Sequence, residues 1–429
     1  MPLVPIIKGN DFQVNPPSGP SAEVRNAVQG ILKQVQTQGD HALREYTRRF
    51  DGVELDEFKV PLAAMTQALA KLDPATLEIY QGAIFNIKAF HGFQVQRSWR
   101  EEAADGTILG ETVTPVDRAG VYVPGGRAFY PSSLIMNVIP AKLAGVPEIA
   151  VTSPPGKNGL PHESVLALCG LLGITEVYAL GGAQAVAALA FGTESIAPVA
   201  VITGPGNQYV AEAKRQVYGL VGIDSIAGPS EILILHDDET VPAEYLVRDM
   251  LSQAEHDEDA ASILVTTSPA TAKAVQARLD ELVPTLPRAN IITPSLTRQG
   301  KIVLVNSMEE GIALANRLAP EHLEVLFAGD AAEVQRKIKL IRNAGALFVG
   351  RWSSEPVGDY YAGPNHTIPT GGAARYASPL SVRDFQKHTS YIQYSQAKLL
   401  EEGAAIAAFA DQEELHAHAA AIRVRLGAT

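Results

Sequence analysis

From Gly120 to Val349, short β-branched runs alternate with stretches of helical periodicity. That alternation constrains the chain more than any other feature. Strands joined through helices can pair only in parallel, in a sheet covered on both faces. The strand-like runs are Gly120-Val-Tyr-Val-Pro-Gly-Gly126, 148–153, 176–182, 199–207 and 231–236, then 262–266, 301–306, 322–327 and 345–349. Helical patterns fall between them at 183–190, 209–217, 269–282, 309–318 and 331–343. A hinge at Gly228-Pro229 divides the series into two α/β units. Residues 1–20 carry five prolines and read as an irregular arm. Ser21 has the chemistry of an N-cap for a helix whose buried face is Val24, Val28, Ile31, Leu32 and Val35. A second helical stretch spans 61–90. Beyond Tyr376 no strand pattern appears, and 377–429 reads as a tail. The expected division is 21–121 with 231–376 as one α/β domain and 122–230 as the other, flanked by the arm and the tail.

The chain has 429 residues, enough for about two to three domains. Net charge is −12 and no Lys/Arg-rich run occurs, which argues against a nucleic-acid partner. The one cysteine, Cys169, sits in the apolar run 165–172. It can form no internal disulfide, and any metal site must use nitrogen and oxygen ligands. No apolar run reaches the roughly 18 residues of a membrane span, and the proline-rich start does not resemble a signal peptide. A soluble, cytoplasmic protein is the expectation.

Four constellations could carry chemistry. In Leu-Ser-Gln-Ala-Glu-His-Asp (251–257), Gln253 and His256 stand three apart at the end of an amphipathic helix. They are either a solvated helix end or half of a metal or substrate site. Glu321-His322 follows Pro320 at a strand mouth, a place suited to proton transfer. Asp359 and His366 lie in a Gly/Pro-rich loop, Asp359 able to supply a hard oxygen ligand and His366 either a ligand or, the preferred reading, a loop-fixing donor. Glu413-Glu-Leu-His-Ala-His418 ends the series, with His416 and His418 on different helix faces. Gln253, His256, Asp359 and one tail histidine would make an N/O site open to a substrate. Three Gly-rich turns (124–126, 181–184 and 204–207) are either tight βα turns or phosphate cradles, with Gln184 and Asn207 able to bond a ribose or carboxamide.

Taken together, the motifs resemble the histidinol dehydrogenase family. They are Tyr-Val-Pro-Gly-Gly at 122–126, Gly-Gly-Ala-Gln at 181–184, Gly-Pro-Gly-Asn at 204–207 and Ala-Gly-Pro-Ser-Glu at 227–231. Ser-Gln-Ala-Glu-His at 252–256, Pro-Glu-His-Leu at 320–323 and Gly-Asp-Tyr at 358–360 follow in the family's order. The resemblance extends from Gly39 to the tail. It implies two incomplete Rossmann-like α/β domains with small N- and C-terminal extensions. It also implies a homodimer whose tails reach into the partner's active site.

The implied reaction is oxidation of L-histidinol to L-histidine with two NAD and a water, through an aldehyde, as the last steps of histidine biosynthesis. By the same resemblance, Gln253, His256, Asp359 and His418 hold zinc. Ser230, His322 and Glu413 join them around the substrate, and Tyr122, Gln184 and Asn207 contact NAD. Glu321 and His322 are the proton acceptors. His418 is preferred to His416 because Glu413 precedes it by the family's spacing; Glu414 and His416 remain the alternatives. A thiohemiacetal route is disfavoured because Cys169 lies in an apolar run. The rival classes are a zinc hydrolase using Glu321 as base, and a non-catalytic protein that keeps the fold.

Overall fold

The computed structural model describes residues 2–14, 19–125 and 130–427. It divides into two compact units, one of residues 1–94 with 117–385, the other of residues 95–116 with 386–429.

The larger unit contains two parallel sheets. The five-stranded sheet runs Glu176–Ala179, Glu148–Ser153, Arg118–Tyr122, Val201–Thr203, Gly222–Ile223. The six-stranded sheet runs Ile6–Lys8, Lys301–Leu304, Ala261–Thr266, Glu231–His236, His322–Leu326, Ala346–Val349. Within each, the first strand of the α/β series lies centrally and the fourth pairs on its other side, so the strand order reverses there. Such a reversal opens a crevice beyond the carboxyl ends of the strands.

Alternation of side chains builds the core. Ile232 and Ile234 face one cluster with Leu246, Val247 and Met250, while Leu233 and Leu235 face another with Ile312 and Ala315. A strand buried on both faces must be apolar throughout, as Glu231–His236 nearly is.

Three expectations about organisation change. The arm is not irregular throughout: Ile6–Lys8 adds a parallel edge strand by pairing with Lys301–Leu304. The helix Ala22–Gln38 forms as expected, with Ser21 Oγ accepting the Val24 N–H at 3.2 Å. However, its buried stripe joins the core of the five-stranded sheet, not that of the six-stranded one. The reason lies in the helix Gly182–Phe191, where Ala183 through Ala190 are all buried. A helix apolar all round needs an outer layer, and the 22–38 stripe supplies it. Finally, strands do not stop at Tyr376. Gln386–Gln393 pairs antiparallel with Ile108–Pro115, which also pairs with Trp99–Glu102. With the helices Gln396–Gln412 and His416–Arg423 they make the smaller unit. No helix among the described residues is long and apolar enough to cross a membrane.

Candidate active site

The helix Ala243–Ala254 carries Gln253 to the amino edge of the six-stranded sheet, and His256 lies in the turn that follows. The adjacent strand begins at His322, so Glu321 and His322 stand at the same edge. The site therefore sits at the amino edge, opposite the carboxyl-edge crevice that parallel sheets ordinarily use. The short helix Glu355–Tyr360 brings Asp359 alongside.

Gln253 is fully buried, and His322 Nδ1 lies 3.0 Å from its Oε1. An amide oxygen only accepts, so Nδ1 carries the proton and Nε2 keeps its lone pair. His322 Nε2 and Gln253 Nε2 are both buried without a partner in the protein. Buried polar atoms are almost always paired, so both atoms suit polar groups of a bound ligand. Burial, reinforced by His256, depresses the His322 pKa to about 3 and keeps the imidazole neutral.

Glu321 is also buried. Its Oε2 accepts the Glu231 N–H at 3.0 Å and lies 3.8 Å from His322 Nδ1. Ser230 stands near enough to the same carboxyl to oppose the rise in its pKa. Burial, then the nearby Glu231 and Asp359 carboxylates, pushes the Glu321 pKa well above the usual carboxylate range. His366 Nδ1 donates to the Asp359 backbone carbonyl at 3.0 Å, the loop-fixing role expected of it.

His256, Glu355 and Asp359 bring one ligand atom each within 4.8 Å of one another. Glu355 escaped the sequence reading. Its Oε2 accepts from Ser252 Oγ at 3.2 Å, while Oε1 is buried without a partner. A nitrogen and two carboxylates, with the Gln253 amide beside them, are donors suited to zinc. The open Glu355 oxygen fits a cation better than an empty apolar gap. A cavity of about 400 Å³ runs from His256, Tyr360 and Tyr361 to Tyr130, Pro131 and Met136, so residues adjoining each sheet share its wall.

Tyr122, Gln184 and Asn207 gather at the other crevice, beyond the carboxyl ends of the five-stranded sheet. Tyr122 is buried and its hydroxyl accepts the Gly182 N–H at 3.1 Å. Gln184 is buried with Oε1 unpaired. Asn207 caps the helix Gln208–Val217, its Oδ1 accepting from the Tyr209 and Val210 N–H groups and its Nδ2 left over. Glycine turns at helix N-termini and an unpaired amide oxygen suit a dinucleotide's phosphates and hydroxyls. Gly126 of the third turn lies outside the described residues.

Glu413 and His418 are not part of this gathering within the larger unit. Both belong to the smaller unit and are exposed, Glu413 at the end of the helix Gln396–Gln412 and His418 on His416–Arg423. His416, the alternative, instead approaches Asp411 at 3.3 Å. Cys169 is fully buried, and burial raises its pKa to about 12.

A sequence model described as histidinol dehydrogenase matches residues 16–426. The chain is 53% identical over 404 residues to the histidinol dehydrogenase of Geobacillus kaustophilus, covering 94% of each. It is 50% identical over 403 residues to that of Bacillus subtilis, covering 94% of this chain and 93% of the relative. The crystal structure of histidinol dehydrogenase from Elizabethkingia anophelis superposes with a TM-score of 0.93 at 33% identity, over 100% of this chain and 99% of the other. Sequence, fold and the motifs at both crevices agree: this chain belongs to the histidinol dehydrogenase family.

Proposed function

We propose that this chain oxidises L-histidinol to L-histidine in two NAD-dependent steps through L-histidinaldehyde. The observation that carries this reading is the buried, unpartnered Nε2 of His322, held by Gln253 beside Glu321. A neutral imidazole with an open lone pair can accept a proton.

In the first step the alcohol proton goes to His322 as hydride leaves the carbinol carbon for NAD, giving the aldehyde and NADH. Water then adds to the aldehyde carbon, Glu321 taking its proton while protonated His322 returns its own to the carbonyl oxygen, to form the hydrate and leave His322 neutral. In the second step hydride leaves the hydrate carbon for another NAD while His322 again accepts a proton, and the acid results. Glu321 and His322 act in turn, and their closeness lets an ionised Glu321 stabilise a protonated His322.

Gln253, His256, Asp359 and His418 are the residues we assign to a zinc ion, with Glu355 beside them. When bound, the ion would supply a Lewis-acid anchor for the imidazole and amine nitrogens of the substrate. Ser230 and Glu413 complete the substrate's surroundings. Tyr122, Gln184 and Asn207 are assigned to NAD.

We assign His418 and Glu413 to the partner's site in a homodimer. The exposed apolar side chains of the smaller unit, Trp99, Ile392, Leu400 and Phe409, support burial against a second subunit. A biosynthetic enzyme drawing on the NAD pool is expected in the cytoplasm. The test is NADH formation from L-histidinol by the purified protein before chelation, after chelation and after return of zinc. Loss on chelation and recovery with zinc are expected; turnover indifferent to both would contradict the metal assignment.

A further inference from the structure

We propose that the buried Lys214–Asp224 pair is a positioning device for the dinucleotide, acting through the backbone of Gly204. The inference rests on the reading that NAD occupies the crevice beside Tyr122.

Lys214 lies on the helix Gln208–Val217, and Asp224 directly follows the strand Gly222–Ile223. They form an ion pair whose side chains are only 3% and 2% exposed. Burying two charges is costly unless their remaining hydrogen-bonding capacity is used. Much of that capacity is directed at one residue. Asp224 Oδ2 accepts the Gly204 N–H at 2.8 Å, and Lys214 Nζ donates to the Gly204 carbonyl at 3.0 Å. The other carboxylate oxygen, Oδ1, accepts the Ser225 N–H at 2.7 Å.

Gly204 opens the turn that leads to Asn207. Its φ of +113° is one that L side chains rarely adopt, and a Cβ there would collide with the Tyr122 carbonyl oxygen. Tyr122 in turn receives the Gly182 N–H. A line of contacts thus runs from the ion pair through Gly204 and Tyr122 to the turn before Gln184. It crosses between Arg118–Tyr122 and Val201–Thr203, the neighbouring strands at which the sheet order reverses. An apolar pair could fill the same volume, but it could not hold both the N–H and the C=O of one glycine. The charges fix the orientation of the turn, and through it the places of Tyr122 and Asn207.

The experiment uses the full-length protein with Lys214→Met and Asp224→Asn, and Val28→Ala as a control for lost stability. Val28 is a fully buried residue of the same core. NADH affinity is measured by fluorescence titration, alongside melting temperature, the KM for NAD and for L-histidinol, and kcat. Loss of one positioning contact should weaken NADH binding and raise the KM for NAD by about tenfold. The KM for L-histidinol at saturating NAD should stay unchanged, and Val28→Ala should lower the melting temperature without altering NADH affinity. If either folded variant keeps wild-type NADH affinity while its melting temperature falls as in the control, the pair is merely structural and the inference is overturned. Should Lys214→Met fail to fold, Asp224→Asn, whose single amide oxygen cannot serve both the Gly204 and Ser225 N–H groups and carries no charge for Lys214, decides by the same criterion. NADH binding by the wild type is read first: its absence defeats the dinucleotide reading and the inference together, whereas wild-type binding with unaffected variants defeats the inference alone.

Discussion

Gln253 Oε1 lies 3.0 Å from His322 Nδ1, and this bond links a residue assigned to the metal with the residue assigned to take the proton. An amide oxygen has a second lone pair, so one atom can accept from His322 and still face a cation. Gln253→Ala should therefore weaken zinc binding by about 10–100-fold, as loss of a coordinating or supporting group does. It should also cut turnover in zinc excess, because His322 loses the acceptor that fixes its tautomer. Metal competition titrations and kcat at saturating zinc check the two effects. Mixed with His418→Ala subunits, Gln253→Ala subunits should regain activity, since each mixed dimer would hold one intact site. No recovery on mixing would count against a tail that reaches the partner.

Glu321 carries the pH dependence. Its pKa is raised by burial and neighbouring carboxylates. The ionised form, the base, therefore appears only as pH rises past the ordinary carboxylate range. Oxidation of supplied L-histidinaldehyde should climb with pH in the wild type. Glu321→Gln should lower it by about 10²–10⁴ near neutrality and recover toward alkaline pH, where hydroxide replaces the activated water. A defect constant across pH would exclude Glu321 as the water activator.

Glu355 offers a carboxyl beside His256 and Asp359, and because burial and Asp359 raise its pKa to about 8, it would carry its negative charge near neutrality only with a cation bound. Glu355→Gln keeps the size and an oxygen for Ser252 but removes that charge. Zinc affinity should fall by about tenfold or more, measured by competition with a chromogenic chelator. Unchanged affinity would make Glu355 a packing residue.

Cys169 should be chemically silent. With its thiol fully buried and its pKa raised to about 12, almost no thiolate exists below pH 9. The native protein should resist alkylation and the unfolded protein should react. Cys169→Ala should keep kcat while costing about 1 kcal/mol of stability for the small void. A folded variant with a large loss of turnover would revive a covalent thiohemiacetal route.

What could be read from the sequence followed from what is local. Ser21 as a cap, the Val24–Val35 stripe and the strand–helix alternation depend on neighbours within one or two turns, and they formed as expected. Gln253, His256, Glu321, His322 and Asp359 stood out because His, amide and carboxylate side chains cluster in short motifs, and the fold brings them to one sheet edge. Pairings across distance stayed hidden. Gln386–Gln393 is polar and largely exposed, and its partner strand lies far back at Ile108–Pro115. Ile6–Lys8 spans three residues, too few for a periodicity. Glu355 belongs to none of the motifs, although its spacing of four from Asp359 puts both on one helical face. Lys214 and Asp224 carry no motif at all; only the closure of the sheet brings them to Gly204.

The most direct measurement is the yield of NADH per L-histidinol consumed, with zinc and NAD in excess and the product identified. Two NADH for each L-histidinol, with L-histidine as the product, is the expected result. One NADH with the aldehyde accumulating would contradict the role of Glu321 and the two-step reaction. No NADH at all would contradict the proposed function and leave the hydrolase and the non-catalytic protein as the alternatives.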